Sequence, residues 1–234
     1  MKKLRVSFLD KICITYILIA LLGMVHLNTA NIYFKDVFLS YAERQSSKLS
    51  SLIISKTIAY ELENISSGVS LITYDEENDK IQGINFDTLN ISKIVSDTTN
   101  RIYKYLIAIE NGNLEIINHL NLDDYHELKE NPEGIIYEIP FGIINNNPML
   151  SSLGPNIPVS FHLLGDVMSN VNCEITSHGI NSVMIKILLE VKVNLQVIIP
   201  LVSKNCVVNN SFPIAMKLIQ GEVPSNYIGT FPIE

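Results

Sequence analysis

Several residue types that define common protein classes are scarce in this chain. Only 18% of its 234 residues are charged while 47% are hydrophobic, which excludes a disordered polymer. Glycine and proline number 11 and 9, and no period of 20–50 residues recurs, so collagen-like, low-complexity and solenoid architectures are also excluded. The chain therefore folds, and its length predicts one domain, or one domain with an anchor.

Basic residues and catalytic motifs are equally scarce. The net charge is −7 and only three arginines are present, so the clustered cations that a nucleic-acid partner requires are missing. No zinc-binding HExxH, phosphate-binding loop, dinucleotide fingerprint or serine-nucleophile elbow occurs. We therefore predict no nucleic-acid partner, cofactor, metal, small-molecule substrate or catalytic residue, and a protein that is not an enzyme.

Four carboxylates are the candidates for glycosidase chemistry, which needs two carboxyl groups facing each other. They are Glu138, Asp166, Glu174 and Glu190. Their sequence spacing does not pair them, and a solvated charge on the polar face of a strand is the ordinary explanation.

The N-terminus has the pattern of a membrane anchor. A basic tail over residues 1–11 precedes an apolar stretch over residues 12–34, which is long enough to span a bilayer as a helix. The candidate anchor residues of the tail are Lys2, Lys3, Arg5 and Lys11. Their charge predicts a cytoplasmic N-terminus, a lipid bilayer as partner of residues 12–34, and export of everything that follows.

Two other interpretations of this stretch stay open. A signal peptide could be cleaved after Ala30, although Asn28 at the −3 position fits the small-residue rule poorly. A buried core helix is the second alternative. Without the tail, 13 basic and 23 acidic residues leave an exported part with a net charge of −10. Its partner is therefore expected to be a protein, a second copy of the chain or a wall component.

Residues 35–110 predict a juxtamembrane unit of helix, hairpin and helix. The predicted elements are a helix over 35–63, strands over 68–74 and 80–86 joined by an acidic turn at 75–79, and a helix over 88–110. Asp87 or Thr88 caps the second helix. The apolar faces of the two helices include Phe38, Tyr41, Ala42, Leu49, Leu52, Ile53, Ile58, Ala59, Leu62, Leu89, Ile94, Ile102, Tyr105, Leu106 and Ile109. A calcium site in the turn is the weaker reading, because the glycine and the bidentate acid of a calcium loop are missing.

After a polar connector over residues 111–135, residues 136–234 predict an antiparallel β region. Apolar residues alternate over 157–175, 183–199 and 206–218, which indicates three long strands joined by short turns, with bends or bulges. In the third run we expect Cys206, Val208, Phe212, Ile214, Met216 and Leu218 on one face. Pro158 and Pro213 place the two outer runs at edges. Cys173 and Cys206 are expected to be buried and unpaired, because the central strand separates them.

Proline, glycine and asparagine punctuate this region where strands begin or turn, and we predict structural roles for them. These candidate residues are Pro140, Gly142, Gly154, Pro155, Pro158, Gly179, Asn181, Pro200, Gly221 and Pro224. The predicted fold is α+β, with an N-terminal transmembrane helix followed by amphipathic helices packed on an antiparallel sheet that contains a long three-stranded meander.

Linked motifs in residues 137–229 resemble the YunB family of sporulation proteins from endospore-forming Firmicutes. They are IPFGIINNNPMLSSLGPNIPVSFHLLGDV, HGIN, EVKVNLQVIIPLVSK and QGEVPSNY, in that order. The resemblance implies a mother-cell protein made during sporulation, with its domain in the space between the mother-cell and forespore membranes. It implies no established catalytic activity.

Three functional hypotheses follow. The first is a membrane-tethered, non-catalytic interaction module that binds another sporulation membrane protein or itself. The second is a protein that binds or remodels cell-wall peptidoglycan. The third is an extracytoplasmic protein unconnected with sporulation.

Overall fold

The computed structural model describes residues 8–64, 70–77, 80–120, 134, 136–145, 152, 154–179, 181–200 and 202–221. The helices are α1 (Phe8–Asn64) and α2 (Thr88–Glu110), with short 3-10 helices at Glu115–Leu120 and Phe141–Asn145. The strands are β1 (Ile72–Glu77), β2 (Lys80–Phe86), β3 (Tyr137–Pro140), β4 (Asn156–Leu163), β5 (Met168–His178), β6 (Ser182–Ile199) and β7 (Val202–Gln220). The predicted α+β class with helices on an antiparallel sheet is confirmed.

Helix α1 is one continuous helix of 57 residues, and the absence of proline along its length permits this. Its C-terminal half lies on β6 and β7. Large apolar side chains alternate there with the small, fully buried Ala42, Ser46, Ser50 and Thr57. These small residues let the helix backbone approach the sheet closely. Ala59, which we expected on the buried face, is exposed.

Helix α2 begins where the sequence predicted. Asp87 is its N-cap, and its Oδ1 accepts a hydrogen bond of 3.0 Å from the backbone N–H of Asn90. That bond favours the ionised carboxylate and lowers the pKa of Asp87. The prediction was wrong for Leu89, which is 83% exposed. Leu89 lies about 140° around the helix from the buried Ile94, since each residue turns by about 100°.

The larger sheet is built on β6. Strand β7 pairs with one edge of β6, and β4 and β5 pair end to end with its other edge, while β3 pairs with the outer edge of β4. The meander is therefore confirmed, but its first predicted strand, 157–175, is two strands. The interruption falls at residues 164–167, where Gly165 adopts φ +78°.

A β-bulge in β7 overturns the predicted face of residues 216 and 218. Ile187 pairs with Ala215 and Leu188 pairs with Pro213, so Ile214 is the extra residue. An inserted residue moves every later side chain to the opposite face. Met216 and Leu218 are accordingly 60% and 55% exposed, whereas Ile219 is 8% exposed.

The first strand of the β1–β2 hairpin is shifted relative to the prediction: β1 begins at Ile72, and the acidic residues 75–77 of the predicted turn belong to the strand. Residues 65–69 and 78–79 lie outside the described part of the chain. Asp75 accepts a hydrogen bond of 2.8 Å from Asn85, and the described residues contain no group of three potential metal ligands. Lys217 attaches the hairpin to β7: its ammonium lies 4.4 Å from the centre of the Tyr74 ring and donates a bond of 3.1 Å to the carbonyl of Ile72.

The predicted connector over residues 111–135 contains the 3-10 helix Glu115–Leu120, and its residues 121–133 and 135 are outside the description. Gly134 lies against the end of α2 with φ +67°, and a Cβ atom there would lie within 2.3 Å of the Glu110 carbonyl oxygen. Glycine is therefore required at this close approach.

The N-terminal part of α1 extends away from this core. Its described side chains at residues 13–24 are all exposed and include large apolar ones, from Ile14 at 55% to Tyr16 at 77%. Among the described residues, no helix has a stretch of 18 residues that is apolar enough to cross a membrane. The predicted span, residues 12–34, extends over positions 25–34, whose side chains are not part of the description.

Candidate interaction surface

The predicted turn residues gather at the two ends of the larger sheet. We call the end with residues 140–142, 154–156 and 199–202 the near end, because α1 enters the domain there. Glu43 of α1 binds Lys204, near the start of β7, at 2.7 Å. We call the other end, with residues 178–182 and 220–221, the far end. The core of the domain lies between them.

At the near end, two predicted turn segments pack together. The backbone N–H of Phe141 donates a bond of 3.0 Å to the Pro155 carbonyl, and Pro140 pairs with Asn156. Gly154 has φ +99°, and a Cβ atom there would lie 3.0 Å from Phe141 Cβ. The Phe141 ring also lies 5.6 Å from that of Phe38 on α1. The cluster joins β3 and β4 to the helix.

At the far end, Asn181 and Gly221 bind each other. The Gly221 N–H donates to the Asn181 carbonyl at 2.6 Å, and Asn181 Nδ2 donates back to the Gly221 carbonyl at 3.0 Å. Gly179 in the same hairpin has φ +70°. The β5–β6 turn is thereby tied to the end of β7, a contact between residues 40 positions apart that spacing could not predict.

The remaining predicted residues are spread over the fold. Gly142 is buried, Pro158 pairs with Glu138 on β3, and Pro200 lies exposed in the β6–β7 turn. Lys11 belongs to α1. Pro224 and the basic residues Lys2, Lys3 and Arg5 lie outside the described residues.

The pairing of the strands places none of the candidate carboxylates Glu138, Glu174 and Glu190 opposite another, and Asp166 is exposed in the segment between β4 and β5. Glu138 at the near end accepts a bond of 2.8 Å from Asn156. Glu174 on β5 lies opposite Lys186 on β6. Lys186 precedes Glu190 by four residues, so the backbone positions of Glu174 and Glu190 are about 13 Å apart along the strand direction.

The face of the sheet turned away from the helices carries a pocket of about 450 Å³. Most of its accessible lining is apolar, and amide, hydroxyl and charged groups on three neighbouring strands also contribute to it. The lining side chains on this face belong to Met168, Asn170, Glu190, Lys192, Asn209 and Ser211. Such a surface offers hydrogen bonds to a polar ligand or a protein partner.

The contact between the two helices contains an ion pair whose carboxylate is mostly buried and whose guanidinium is 40% exposed. Arg101 of α2 pairs with Glu61 of α1, whose side chain is 11% exposed, and lies 5.3 Å from the centre of the Tyr60 ring. Hydrogen bonding to the Tyr105 side chain raises the pKa of Arg101. Next to the pair is a groove of about 590 Å³, lined by Asp97, Asn100, Arg101, Lys104, Tyr105 and Ile116.

The thiols are unpaired, as predicted, but one of them is not buried. Cys206 is buried and lies 3.9 Å from Ser47, and its burial raises the pKa of the thiol. Cys173 is exposed. It lies on an outer strand whose C-terminal part the described helices do not cover.

Strand β5 presents a surface that sequence reasoning missed. Its residues 172–178 are all exposed, and in the described part of the chain only β6 pairs with it. The available signal was Gly165 in the sequence LLGD, which separates β4 from β5. We had interpreted the two strands as one.

The fold and its surfaces define a helix-supported antiparallel β module, and its described residues contain no group of three potential metal ligands. Residues 136–226 match the family model described as Sporulation protein YunB (Spo_YunB). The matched region contains β3–β7 and all ten predicted turn residues, so the resemblance to the YunB family is confirmed.

The chain is also similar to a curated protein, Sporulation protein YunB of Bacillus subtilis (strain 168). The two are 29% identical over 197 residues, which cover 84% of this chain and 72% of that protein. No solved structure matches the chain significantly. These relatives support a role in sporulation.

Proposed function

We propose that this chain is a membrane-anchored extracytoplasmic sporulation protein whose β module is a non-catalytic interaction module. Its place is the space between the mother-cell and forespore membranes. The observation that carries the proposal is the continuity of α1. One helix contains both the exposed apolar residues 13–24 and the side chains, from Phe38 to Ile58, that form the core against the sheet.

The exposed segment of α1 favours a lipid partner. Residues 13–24 contain no charged side chain, and the basic tail precedes them in the sequence. Exposing apolar surface to water costs about 25 cal/mol per Å². A bilayer removes that cost for every face of a helix at once, whereas the folded domain would cover one face.

The continuity of α1 also orients the module. Without a break between the apolar segment and the core residues, a membrane at the N-terminal part of α1 lies beyond the near end of the sheet. The far end and the exposed edge of β5 then extend away from the bilayer, where they are accessible to partners. The net charge of −10 over residues 35–234 repels anionic headgroups and disfavours a domain that lies against the membrane surface.

The native cysteines provide a test of the topology. A membrane-impermeant maleimide is applied to protoplasts that express the full chain. We expect Cys173 to react in intact protoplasts, because it is exposed and extracytoplasmic in this proposal, whereas Cys206 reacts only after denaturation. The variant Cys173→Ser should abolish the signal. A cytoplasmic thiol protein serves as the permeability control, and labelling of Cys173 only after lysis would refute the proposed topology.

Binding of cell-wall glycan is the second candidate, and the pocket on the outer face favours it. The amides of Asn170 and Asn209, with Glu190 and Lys192, are groups that hydrogen-bond to sugar hydroxyls and peptide stems. Peptidoglycan sedimentation with the full chain tests it. Binding that is lost in Asn170→Ala and Glu190→Gln, and kept in Asn205→Ala elsewhere on β7, would support this candidate. No binding above the control without peptidoglycan would exclude it.

A further inference from the structure

The outer face of the sheet, which is the face turned away from the helices, changes its chemistry along β7. Before the bulge at Ile214, most outward side chains are polar, namely those of Ser203, Asn205, Asn209 and Ser211. After the bulge the outward side chains include Met216 and Leu218, which are 60% and 55% exposed. The exposed apolar surface of this face is therefore concentrated towards the far end.

Strand β6 extends this surface into a patch. Met184 pairs with Leu218, and Leu188 pairs with Pro213. Both side chains of β6 point to the outer face, because the odd-numbered residues of this strand form the core. A contiguous apolar patch on a surface marks a contact site. We call these five residues the outer patch: Met184, Leu188, Pro213, Met216 and Leu218.

The charges around the outer patch balance. Glu174 and Lys186 lie 4.0 Å apart beside it. Residues 35–234 carry a net charge of −10, so most pairs of surfaces on two copies of the chain repel each other. A neutral apolar face is where two copies can approach. The outward charged residues of β5, β6 and β7 are two glutamates and two lysines, Glu174, Glu190, Lys186 and Lys192.

We infer that the outer patch packs against the same patch of a second copy of this chain, with the two sheets face to face. This partner specifies the interaction module proposed above, and the inference rests on that proposal. The two-fold axis runs parallel to β6. A rotation about such an axis leaves the near ends of both sheets on the same side, so both α1 helices continue towards one membrane. A two-fold axis across the strands would direct the helices oppositely, which anchoring in one membrane excludes.

The axis passes over β6, which is the middle strand, so β5 of each copy faces β7 of the other. Met184 and Leu188 then meet their own counterparts across the interface. Each Lys186 lies between Glu174 of its own chain and Glu174 of the second copy, so neither lysine is buried without an opposite charge. Aligned sheets of this kind pack about 10 Å apart, with their strands within about 30° of each other.

The area of the face is sufficient for a dimer. The pairing of β5 with β6 extends over 11 residues, which is about 36 Å of strand. Three strands about 4.8 Å apart make the face about 14 Å wide, so two copies bury roughly 1,000 Å². That is the lower limit for a specific interface, and attachment to one membrane adds effective concentration. The footprint includes the outer-face pocket, so a glycan and a second copy would compete for this face.

Crosslinking of the full chain, in the cell fraction that contains it, tests this inference. In a background of Cys13→Ser and Cys173→Ser, the variant Leu188→Cys places a thiol on the axis, and a bis-maleimide with a spacer of about 10 Å bridges the two sheets. We expect a covalent dimer of about 53 kDa, twice the chain mass of 26.3 kDa. The matched control, Ala59→Cys, is exposed on α1, on the other side of the sheet, and should give at least about tenfold less dimer.

A charged variant adds a second measurement. In the Leu188→Cys background, Leu218→Lys introduces a charge without an opposite partner into the interface and should lower the yield of dimer about tenfold. Its matched control is Asn205→Lys, which carries the same charge on the outer face of β7 but outside the footprint, and should crosslink normally. Protection of Cys206 from maleimide verifies that each variant is folded.

Three outcomes would overturn the inference. The first is the absence of a dimer from folded Leu188→Cys, the second is an equal yield from Ala59→Cys, which would indicate random collision, and the third is an unchanged yield in Leu218→Lys. In the first case, protection of Leu188→Cys from a monofunctional maleimide would assign the patch to another occupant, such as residues 222–234 or a different protein. Cys173 lies on the other face of β5, so none of these outcomes changes its labelling in protoplasts. The topology and the self-association can therefore fail separately.

Discussion

The bulge in β7 leads to a quantitative prediction about which side chains stabilise the fold. Strict alternation would bury Leu218 and expose Ile219, whereas the structure has them 55% and 8% exposed. Replacing Ile219 by alanine removes three buried carbons, at about 0.8 kcal/mol each, plus a cavity cost, for a total of about 2–4 kcal/mol. Leu218→Ala removes groups that are already half in water and should cost about 1 kcal/mol.

A matched pair before the bulge provides the control. Val208 is 5% exposed and Val207 is 53% exposed, so here the even-numbered residue is the buried one. Val208→Ala should cost about 1.6 kcal/mol or more, and Val207→Ala about half as much. If substitutions at even-numbered positions cost more stability before Ile214, and substitutions at odd-numbered positions cost more after it, one residue is inserted between them.

Urea unfolding of the purified full chain, followed by circular dichroism, measures all four variants. The midpoint should shift while the slope stays constant, because the surface exposed on unfolding barely changes. If Leu218→Ala lowers the free energy of unfolding as much as Ile219→Ala does, the strand continues without the bulge. In that case Met216 and Leu218 belong to the core.

Three further predictions concern other parts of the domain. Gly154→Ala should lower the free energy of unfolding by about 1–3 kcal/mol, because a Cβ at this positive φ meets the side chain of Phe141. Gly165→Ala should lower it less, because the space around Gly165 is open. Thermal unfolding measures both variants. Arg101→Ala should destabilise the chain by about 1–2 kcal/mol, because it removes the cation beside the mostly buried carboxylate of Glu61, and urea unfolding measures the loss; if the losses in Arg101→Ala and Glu61→Gln simply add in the double variant, the two side chains are not coupled. Burial raises the pKa of Cys206 above its ordinary 9.0, so the contribution of the neutral thiol to stability is complete below that pH and falls as the pH rises through the folded pKa. The free energy of unfolding should therefore decline less steeply at alkaline pH in Cys206→Ala than in the unmodified chain. Parallel curves of unfolding free energy against pH would contradict a buried thiol.

Local signals in the sequence determined the helices and the central strand. The chain between residues 35 and 63 has no proline or glycine and therefore stays helical, and Asp87 sets the start of α2 with its own side chain. Strand β6 alternates over its whole length because one of its faces packs against the helices. The helix and its cap depend on interactions between residues a few positions apart, and the alternation of β6 repeats every two residues, so sequence patterns record all of these features.

Tertiary structure decided the features on which the proposals depend. The bulge at Ile214 exists because β6 and β7 pair over nearly their full lengths, and alternation within β7 alone cannot reveal a slip against its partner. The exposure of Cys173 follows from which part of β5 the helices cover, and the bond between Asn181 and Gly221 joins positions 40 residues apart. The sequence by itself determined which segments are helix and strand and carried the resemblance to the YunB family. Only the packing decided which strand edge has no partner among the described residues, because an edge is paired or covered according to what the rest of the chain places beside it.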